Sequence, residues 1–416
     1  MTSDSTEHKQ VLIVGGGIAG LTAARELAGM GLTVLVAEKA PFFGGHAGRL
    51  ACKATDRCLK CNDCLVEEQL KEISEKGQVD IRLATEVEDV KKNGQGYRVT
   101  LKSGPAWIDP GKCTNCGLCL EKCPEKGAIL CAPTHHNHPF YAIDPSICTY
   151  FQGNQERICQ STCPEGAIDL DARETALEVT AEGIILAIGY EPFDPEKSKR
   201  FQFHQRQNMV SSMDLEDMLR ARGSVVRPSD GEIPGKIAFL QCVGSRDPHL
   251  GHDYCSRVCC GYALRMAMRI AHEQPETEIT FFYMDIQNFG KDFERTYEEA
   301  KEKVHLMRGL PGDFYGLDND RIQVNYYDEE VQKSVSGDFD LVILSVGMAP
   351  TQSHGFFSDA LGISLDEDGF LSEPKEGAAM GIIVAGSAKG PMDVSESVSH
   401  AKKAALEMGR YLMKGF

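Results

Sequence analysis

Residues 11–20 read VLIVGGGIAG. Val11 to Val14 are four consecutive apolar residues and predict a buried strand. Gly15-x-Gly17-x-x-Gly20 follows, and the run LTAARELAGMG from Leu21 continues with apolar residues at helical spacing. A second strand is expected at Thr33–Ala37, closed by the acid Glu38. In this order each residue has a task. Gly15 permits the tight turn, Gly17 lets the backbone approach a pyrophosphate, and Gly20 allows close helix–strand packing. The first-turn amides, at Ile18, Ala19 and Gly20, are placed for phosphate. Glu38, with Lys39 beside it, is placed for a ribose hydroxyl. Three glycines alone would be a weak signal. A strand, glycines, helix, strand and terminal acid in sequence make a dinucleotide site.

The rest of the chain chooses between flavin and nicotinamide. GIILAIGY at 183–190, DLVILSVGMAP at 340–350 and MGIIVAGSAKGPMD at 380–393 are each a strand running into a glycine. Such segments recur in flavoproteins with two dinucleotide domains, so FAD is the expected cofactor. Further candidate contacts are Gly45 and His46 in GGH, Val87, Ala187, Gly189, Gly386, Ser387 and Asp393; a lone histidine such as His46 is as readily a packed polar residue. A second Rossmann unit is expected from GKIAFLQCVGSR at 235–246, but its glycine fingerprint is reduced to Cys242-Val-Gly244-Ser. A valine and a single glycine leave little room for a pyrophosphate, which argues against a nicotinamide site.

Cysteine dominates the remaining chemistry: the chain has 16. Cys113-x2-Cys116-x2-Cys119-x3-Cys123-Pro124 is the bacterial ferredoxin run, in which the last thiolate ligates the other cluster. A pseudo-repeat follows with Asp144-Pro145, Cys148 and Cys159-x3-Cys163-Pro164, its centre replaced by TYFQGNQERI. The exchange rule gives one set of Cys113, Cys116, Cys119 and Cys163. The other has Cys123, Cys148, Cys159 and a fourth ligand: Cys131, one of His135, His136 and His138, or none. Cys52-x5-Cys58-x2-Cys61-x2-Cys64 is a compact run that suits an iron–sulfur cluster better than zinc, whose sites favour two separated pairs. Cys242, Cys255, Cys259 and Cys260 suit a further [4Fe–4S] cluster at the start of a helix near Ser256; a redox-active Cys259–Cys260 pair is the alternative. Three to four [4Fe–4S] clusters are therefore expected.

The chain has 416 residues, 42% hydrophobic, and a formal charge of −17. That balance argues against nucleic acid and anionic membrane surfaces, and suits solubility or a basic protein face. The polar start Met1–Gln10 lacks the pattern of a secretory signal, and no apolar run is long enough to span a bilayer. Reduced thiols, a cytoplasmic location and no direct membrane insertion are expected.

QCVGSRD followed by YCSRVCCGYALRMA, ITFFYMDIQNFGKDFERTYEEA at 279–300, DLVILSVGMAP, and GIIVAGSAKGPMDVSESVSHAKKAA resemble the heterodisulfide reductase A-subunit family. The resemblance covers essentially the whole chain. It implies an oxidoreductase in which Cys242, Cys255, Cys259 and Cys260 hold a [4Fe–4S] cluster close to FAD. Family members often carry lysine near flavin N5 where this chain has Arg265. Arginine does not readily release a proton, so the family's electron-splitting chemistry is not carried over unchanged. In length the chain resembles the short members, flavoprotein subunits of a quinone-interacting membrane-bound oxidoreductase. That resemblance implies two subunits as partners, a second flavoprotein of the same kind and a quinone-reactive membrane protein, with adenylylsulfate (APS) reductase as redox partner. It places the chain at the inner face of the membrane through those subunits.

The expected fold is α/β, thioredoxin-reductase-like with two dinucleotide domains. Residues 1–102 begin the Rossmann-type FAD domain and carry the 52–64 cysteines. Residues 103–172 form a ferredoxin-like α+β insertion, and 173–209 resume the FAD domain. Residues 210–345 form the degenerate NAD(P)H-type domain with its [4Fe–4S] site, and 346–416 return to the FAD domain.

Overall fold

The computed structural model describes residues 7–76, 79–94, 96–287, 293–373 and 380–413. The first sheet grows from β1 (Glu7–Val14), which pairs in parallel with β2 (Val34–Ala37), itself beside β3 (Asp80–Arg82). On its other side β1 pairs with β8 (Thr175–Leu186). The first half of β8 runs antiparallel to β5 (Gly96–Ser103), which continues to β4 (Thr85–Asn93). Its last residues instead pair in parallel with β19 (Ile382–Val384). One strand thus joins a β-meander to a Rossmann sheet. The apolar run Ile184–Leu186 is buried on both faces, as central parallel strands are.

Helix α1 (Ile18–Gly29) covers one face with α9 (Val394–Met413); Ala19, Ala23 and Leu27 meet Ala401, Ala405 and Met408 there. The small residues allow the two helices to sit close to the strands. Helix α2 (Asp63–Lys76) follows the first cysteine run. The helix α8 (Gln352–Leu361) packs Phe357 and Leu361 on the meander.

The ferredoxin-like part interrupts the meander between β5 and β8, and an Ile108↔Ile168 bridge ties its ends. It holds α3 (Leu118–Lys122), β6 (Ile129–Cys131), β7 (Tyr141–Ile143) and α4 (Ile158–Thr162) around a small core of Ile129, Ile143, Ile168 and Leu170.

The chain passes to the second dinucleotide-type domain and back through a two-stranded crossing, β9 (Glu191–Pro192) with β18 (Met348–Ala349). That domain has a parallel sheet in the order β10 (Met209–Ser211), β17 (Leu341–Val346), β11 (Lys236–Val243), β12 (Glu278–Tyr283), β13 (His305–Arg308). Helices α5 (Ser212–Arg222), α6 (Cys259–Glu273) and α7 (Phe293–Lys303) flank it. A three-stranded ribbon, β14 (Asp313–Gly316), β15 (Ile322–Asp328) and β16 (Lys333–Phe339), covers the other side with Phe314, Val324 and Phe339. Among the described residues no helix is long and apolar enough to cross a membrane.

One packing relation was not expected from the sequence. Ala51 and Leu59, from the first cysteine run, are buried in the core of the second domain with Leu215, Ala263 and Leu264. The run leaves the first domain and is built into the second.

Candidate functional site

The three fingerprint glycines differ in what surrounds them. A Cβ on Gly15 would stand 2.3 Å from the carbonyl oxygen of Ala187, and one on Gly20 would stand 1.9 Å from the Gly15 carbonyl oxygen. Both glycines are required by the protein's own packing. A Cβ on Gly17 would meet only the Cα of Gly45, at 3.9 Å. Nothing among the described residues demands glycine there, while Gly17 caps α1 without any side-chain hydrogen bond to the first-turn amides. An open approach to bare helix amides is what a pyrophosphate requires, so these residues fit a dinucleotide.

Glu38 is buried at the end of β2, accepting from the amides of Gly16 (2.5 Å) and Ala40 (2.7 Å). Burial pushes its carboxyl up, against the pull of those two amides and Lys39. Lys39 is exposed, and Val87 leans on the meander core. Gly386, at φ +65°, sits where a Cβ would be 2.5 Å from that of Ala19; its amide donates to His400 Nδ1 at 3.0 Å. Ser387 is half-buried beside it. Asp393 caps α9, accepting from the Glu396 amide at 2.7 Å, while Glu396 Oε2 accepts from the Asp393 amide at 3.1 Å. The loop after β8, from Ala187 through Gly189 to Tyr190, lies beside the Gly44–His46 turn. His46 Nε2 is 3.0 Å from the Tyr190 carbonyl oxygen, and the two rings are 4.9 Å apart. Burial holds the imidazole below its ordinary value, so it is neutral at pH 7.

Beyond Tyr190 lies the thiol group of the second domain. Cys242, Cys255, Cys259 and Cys260 are close enough for each other's charge to be felt. Burial and then Cys260 push Cys242 up to about 12, and burial with Cys242, Cys260 and Cys255 raises Cys259 further. The bulge in β11 between Leu240 and Val243, with Cys242 at φ +59°, turns this thiol toward the others. Helix α6 begins at Cys259 with Val258 as its cap. Ser256, expected near the helix start, is instead buried and accepts from the Met348 amide at 2.9 Å. Arg246 grips Asp285 through two bonds (2.5 and 3.2 Å) beside the thiols. Tyr262 is spent on the Val346 carbonyl (2.8 Å) and Ser212 (3.0 Å). Tyr190 touches both neighbourhoods: burial raises its phenol, and Cys259 and Glu216 act on it electrostatically. At Gly244 (φ +78°) a Cβ would lie 1.9 Å from the Phe193 ring. The space over the degenerate fingerprint is filled by protein.

The ferredoxin insertion brings Cys113, Cys116, Cys119 and Cys163 around one cavity, with Tyr141 leaning over it. Cys148 and Cys123 act on the buried Cys159. Cys131 lies apart from them on the β6–β7 hairpin. It is exposed, opposite Tyr141 across the β6–β7 hairpin, and its thiol is raised by burial alone. The strand register holds it on the side of the completed first set. The neighbouring histidines are also engaged elsewhere: His135 stacks on Phe140 (5.3 Å), His136 pairs with Glu67 (3.4 Å), and His138 Nδ1 is 3.4 Å from Asn115 Nδ2.

In the 52–64 run, Cys52, Cys58 and Cys64 are exposed and Cys61 is half-buried, pushed up to about 11 by burial and Asp63. The run is fastened to the second domain by a cluster that sequence reasoning did not anticipate. Lys53, 2% exposed, pairs with Glu216 (2.6 Å) and Asp63 (3.1 Å), and Glu216 Oε2 accepts from the Ala51 amide (2.9 Å). Arg265 belongs to the same fastening. Its Nε donates to the Leu59 carbonyl (2.9 Å), with Asp63 and Asp393 as its charged neighbours and the Cys61 thiol beside them. Its hydrogen bond therefore goes to the cysteine run, while Asp393 places it at the edge of the flavin-covering segment. Arg269 donates to the Cys52 carbonyl and Arg220 to those of Gly48 (2.8 Å) and Leu50 (3.0 Å). Among the described residues no three His, Cys, Asp or Glu side chains close around a single ion.

Comparison with known proteins places this arrangement. Residues 13–53 match the NAD(P)-binding Rossmann-like domain and 106–126 the 4Fe-4S binding domain. The A subunit of the H(2):CoB-CoM heterodisulfide,ferredoxin reductase from Methanothermobacter marburgensis is 32% identical, over 98% of this chain and 64% of its own length. An iron-sulfur A subunit of the CoB--CoM heterodisulfide reductase of Methanopyrus kandleri is 34% identical, over 98% and 65%. The chain belongs to the heterodisulfide reductase A-like family. It spans about two thirds of the length of these curated relatives. Among solved structures, thioredoxin reductase from T. acidophilum aligns over 98% of this chain and 99% of its own (TM-score 0.56, 15% identity). The HOCl-induced flavoprotein disulfide reductase RclA of Escherichia coli aligns over 97% and 71% (TM-score 0.52, 14% identity). At such identity these two establish the fold: the thioredoxin-reductase-like pair of dinucleotide domains, which this A-like chain interrupts with a ferredoxin-like insertion.

Proposed function

We propose that this A-like chain is the FAD- and iron–sulfur-bearing electron-transfer subunit of a membrane-associated redox complex, of the QmoA type. In this reading it passes electrons between the quinone-side subunits and APS reductase in dissimilatory sulfur metabolism. The observation that carries the redox reading is Tyr190, which bonds the His46 turn through its carbonyl and lies within electrostatic reach of Cys259. A dinucleotide cradle and a four-thiol group thus share one wall.

Flavin exchanges electrons singly or in pairs and iron–sulfur clusters pass them one at a time; the protein supplies position and surroundings. Gly17 and the α1 amides would hold the pyrophosphate, and Glu38 would take the ribose. Cys242, Cys255, Cys259 and Cys260 would hold the nearest cluster. Tyr190 and Tyr262 line the wall between them, Tyr262 held by the Val346 carbonyl and Ser212. Cys259 and Cys260 both belong to the four-thiol group, which disfavours a stand-alone dithiol oxidoreductase. In this reading the membrane is reached only through partner subunits from the cytoplasmic side. Those partners would be a second flavoprotein of the same family and a quinone-reactive membrane protein. The second reading, a flavin electron-splitting component like those in heterodisulfide reductases, is favoured by the names of the relatives.

The test is anaerobic purification of the native complex, with flavin, iron and sulfide assayed, followed by reduction with a quinol. Reoxidation by APS reductase with adenylylsulfate is expected. Reoxidation only when ferredoxin and a heterodisulfide are supplied together would establish the second reading. Flavin without iron would overturn both.

A further inference from the structure

The two halves of the ferredoxin insertion exchange their last cysteines, so each thiol group can be compared with its mirror. Cys113, Cys116 and Cys119 with Cys163 line one cavity. In the mirrored half, Cys148 and Cys159 with Cys123 pack around the same core, where α3 lies against α4. The position corresponding to Cys116, three residues after the first cysteine of its half, is Phe151.

Phe151 is built in rather than left over. Its ring packs on Trp107 (4.7 Å) and edge-on to Tyr150 (5.1 Å), and its amide donates to the Cys148 carbonyl at 3.1 Å. The longer loop that follows is tied down by Arg157, which grips Asp171 (2.5 and 2.9 Å) and lies over the Tyr150 ring at 4.9 Å. The other thirteen of the 16 cysteines lie elsewhere: four in each complete candidate run, and Cys131 across the hairpin at Tyr141. The local histidines are held by Phe140, Glu67 and Asn115.

A cubane iron takes three inorganic sulfides and one protein ligand. Where the protein offers three thiolates, the fourth iron is unanchored and readily lost, and a three-iron cluster is the stable form. We propose that Cys123, Cys148 and Cys159 hold a [3Fe–4S] cluster, with Phe151 standing in the repeat where the fourth thiolate would be. This rests on the iron–sulfur reading above and replaces one of the expected [4Fe–4S] clusters. Cluster type is among the determinants of potential, so the two halves of the insertion would not be equivalent carriers.

The experiment is EPR and Mössbauer spectroscopy of the anaerobically purified full chain, in its complex where one forms, oxidised and then reduced. The expected result is the paramagnetic signal of an oxidised three-iron cluster, lost on one-electron reduction. Cys148→Ser should remove that signal and leave the spectra of the other clusters. Phe151→Cys, at an exposed position, should add one iron per chain and convert the signal to that of a reducible four-iron cluster. Iron present with no three-iron signal, in freshly prepared and mildly oxidised samples alike, would overturn the proposal and leave the electron-transfer reading standing. A three-iron signal that survives Cys148→Ser would place it at another site and overturn it too. Absence of iron would overturn both.

Discussion

Alanine at Gly20 and alanine at Gly17 should fail differently. At Gly20 the added methyl has nowhere to go, because the Gly15 carbonyl oxygen is 1.9 Å from its place. We expect Gly20→Ala to destabilise the flavin-free protein by more than about 3 kcal/mol, the upper end for overpacked cores. Gly17→Ala should unfold like the parent without flavin yet lose flavin on gel filtration. Denaturant unfolding and the flavin-to-protein absorbance ratio read the two effects. Lys53 gives a second residue-scale test. Removing its charge in Lys53→Met leaves Asp63 and Glu216 buried together, a loss of about 3–5 kcal/mol in denaturant unfolding. Adding Glu216→Gln should restore part of it; equal stability of single and double variants would argue against the pairing. The glycine roles were legible in the sequence because the fingerprint is local. Lys53 was not, because a lysine between cysteines gives no hint of a glutamate more than a hundred positions away.

At the scale of the element, α6 and the β11 bulge deliver three thiols, Cys242, Cys259 and Cys260, whose neutral form is favoured by burial. Iron binding at this group, as proposed, would therefore release protons. With iron removed, neutral Cys242 stabilises the fold fully below the ordinary thiol value of 9.0, and that contribution is lost as pH rises through about 12. Metal-free protein should accordingly weaken in alkaline buffer more than the iron-loaded form, a difference thermal unfolding at pH 8 and pH 10 would show. At pH 7 those thiols should alkylate slowly in the metal-free fold. The grouping of Cys242 with the later three was read from four thiolates converging near a helix start and strengthened by resemblance, since its spacing is not that of a ferredoxin. The bulge that aims it has no signature, as it arises from a register shift between two strands. The ferredoxin run, by contrast, was legible from spacing alone for its first set, whereas the eroded half needed the hairpin register to show that Cys131 lies elsewhere.

Across the whole molecule, two thin strands, β9 and β18, carry the chain between the dinucleotide domains, a geometry that would permit a hinge. The 48–60 segment opposes it. Arg49–Asp217 and Arg57–Glu299 pair at 2.5 Å, and Lys53, Arg220, Arg265 and Arg269 add their bonds across the same boundary. Small-angle scattering should therefore show the same radius of gyration for oxidised and reduced protein, and a larger one for a variant combining Lys53→Met, Arg220→Ala and Arg269→Ala. A change in the parent on reduction would mean the fastening does not hold. The pair of dinucleotide domains was readable from strand-and-glycine segments, but this fastening was not, because it joins residues whose only common feature is where the fold puts them.

The partner change along β8 also sets an order of events in synthesis. The strand is made early, yet β19, which completes its inner edge, and α9, which covers α1, come from residues 382–413. Domains fold as units while the chain emerges, and pairings between distant segments come late. The ferredoxin insertion precedes β8 and the second domain's sheet lies between β8 and β19, so both are made before residue 382 and can finish first. The flavin cradle closes only when the last helix arrives, so a ribosome-stalled chain ending before residue 382 should already protect its ferredoxin core from protease while retaining no flavin.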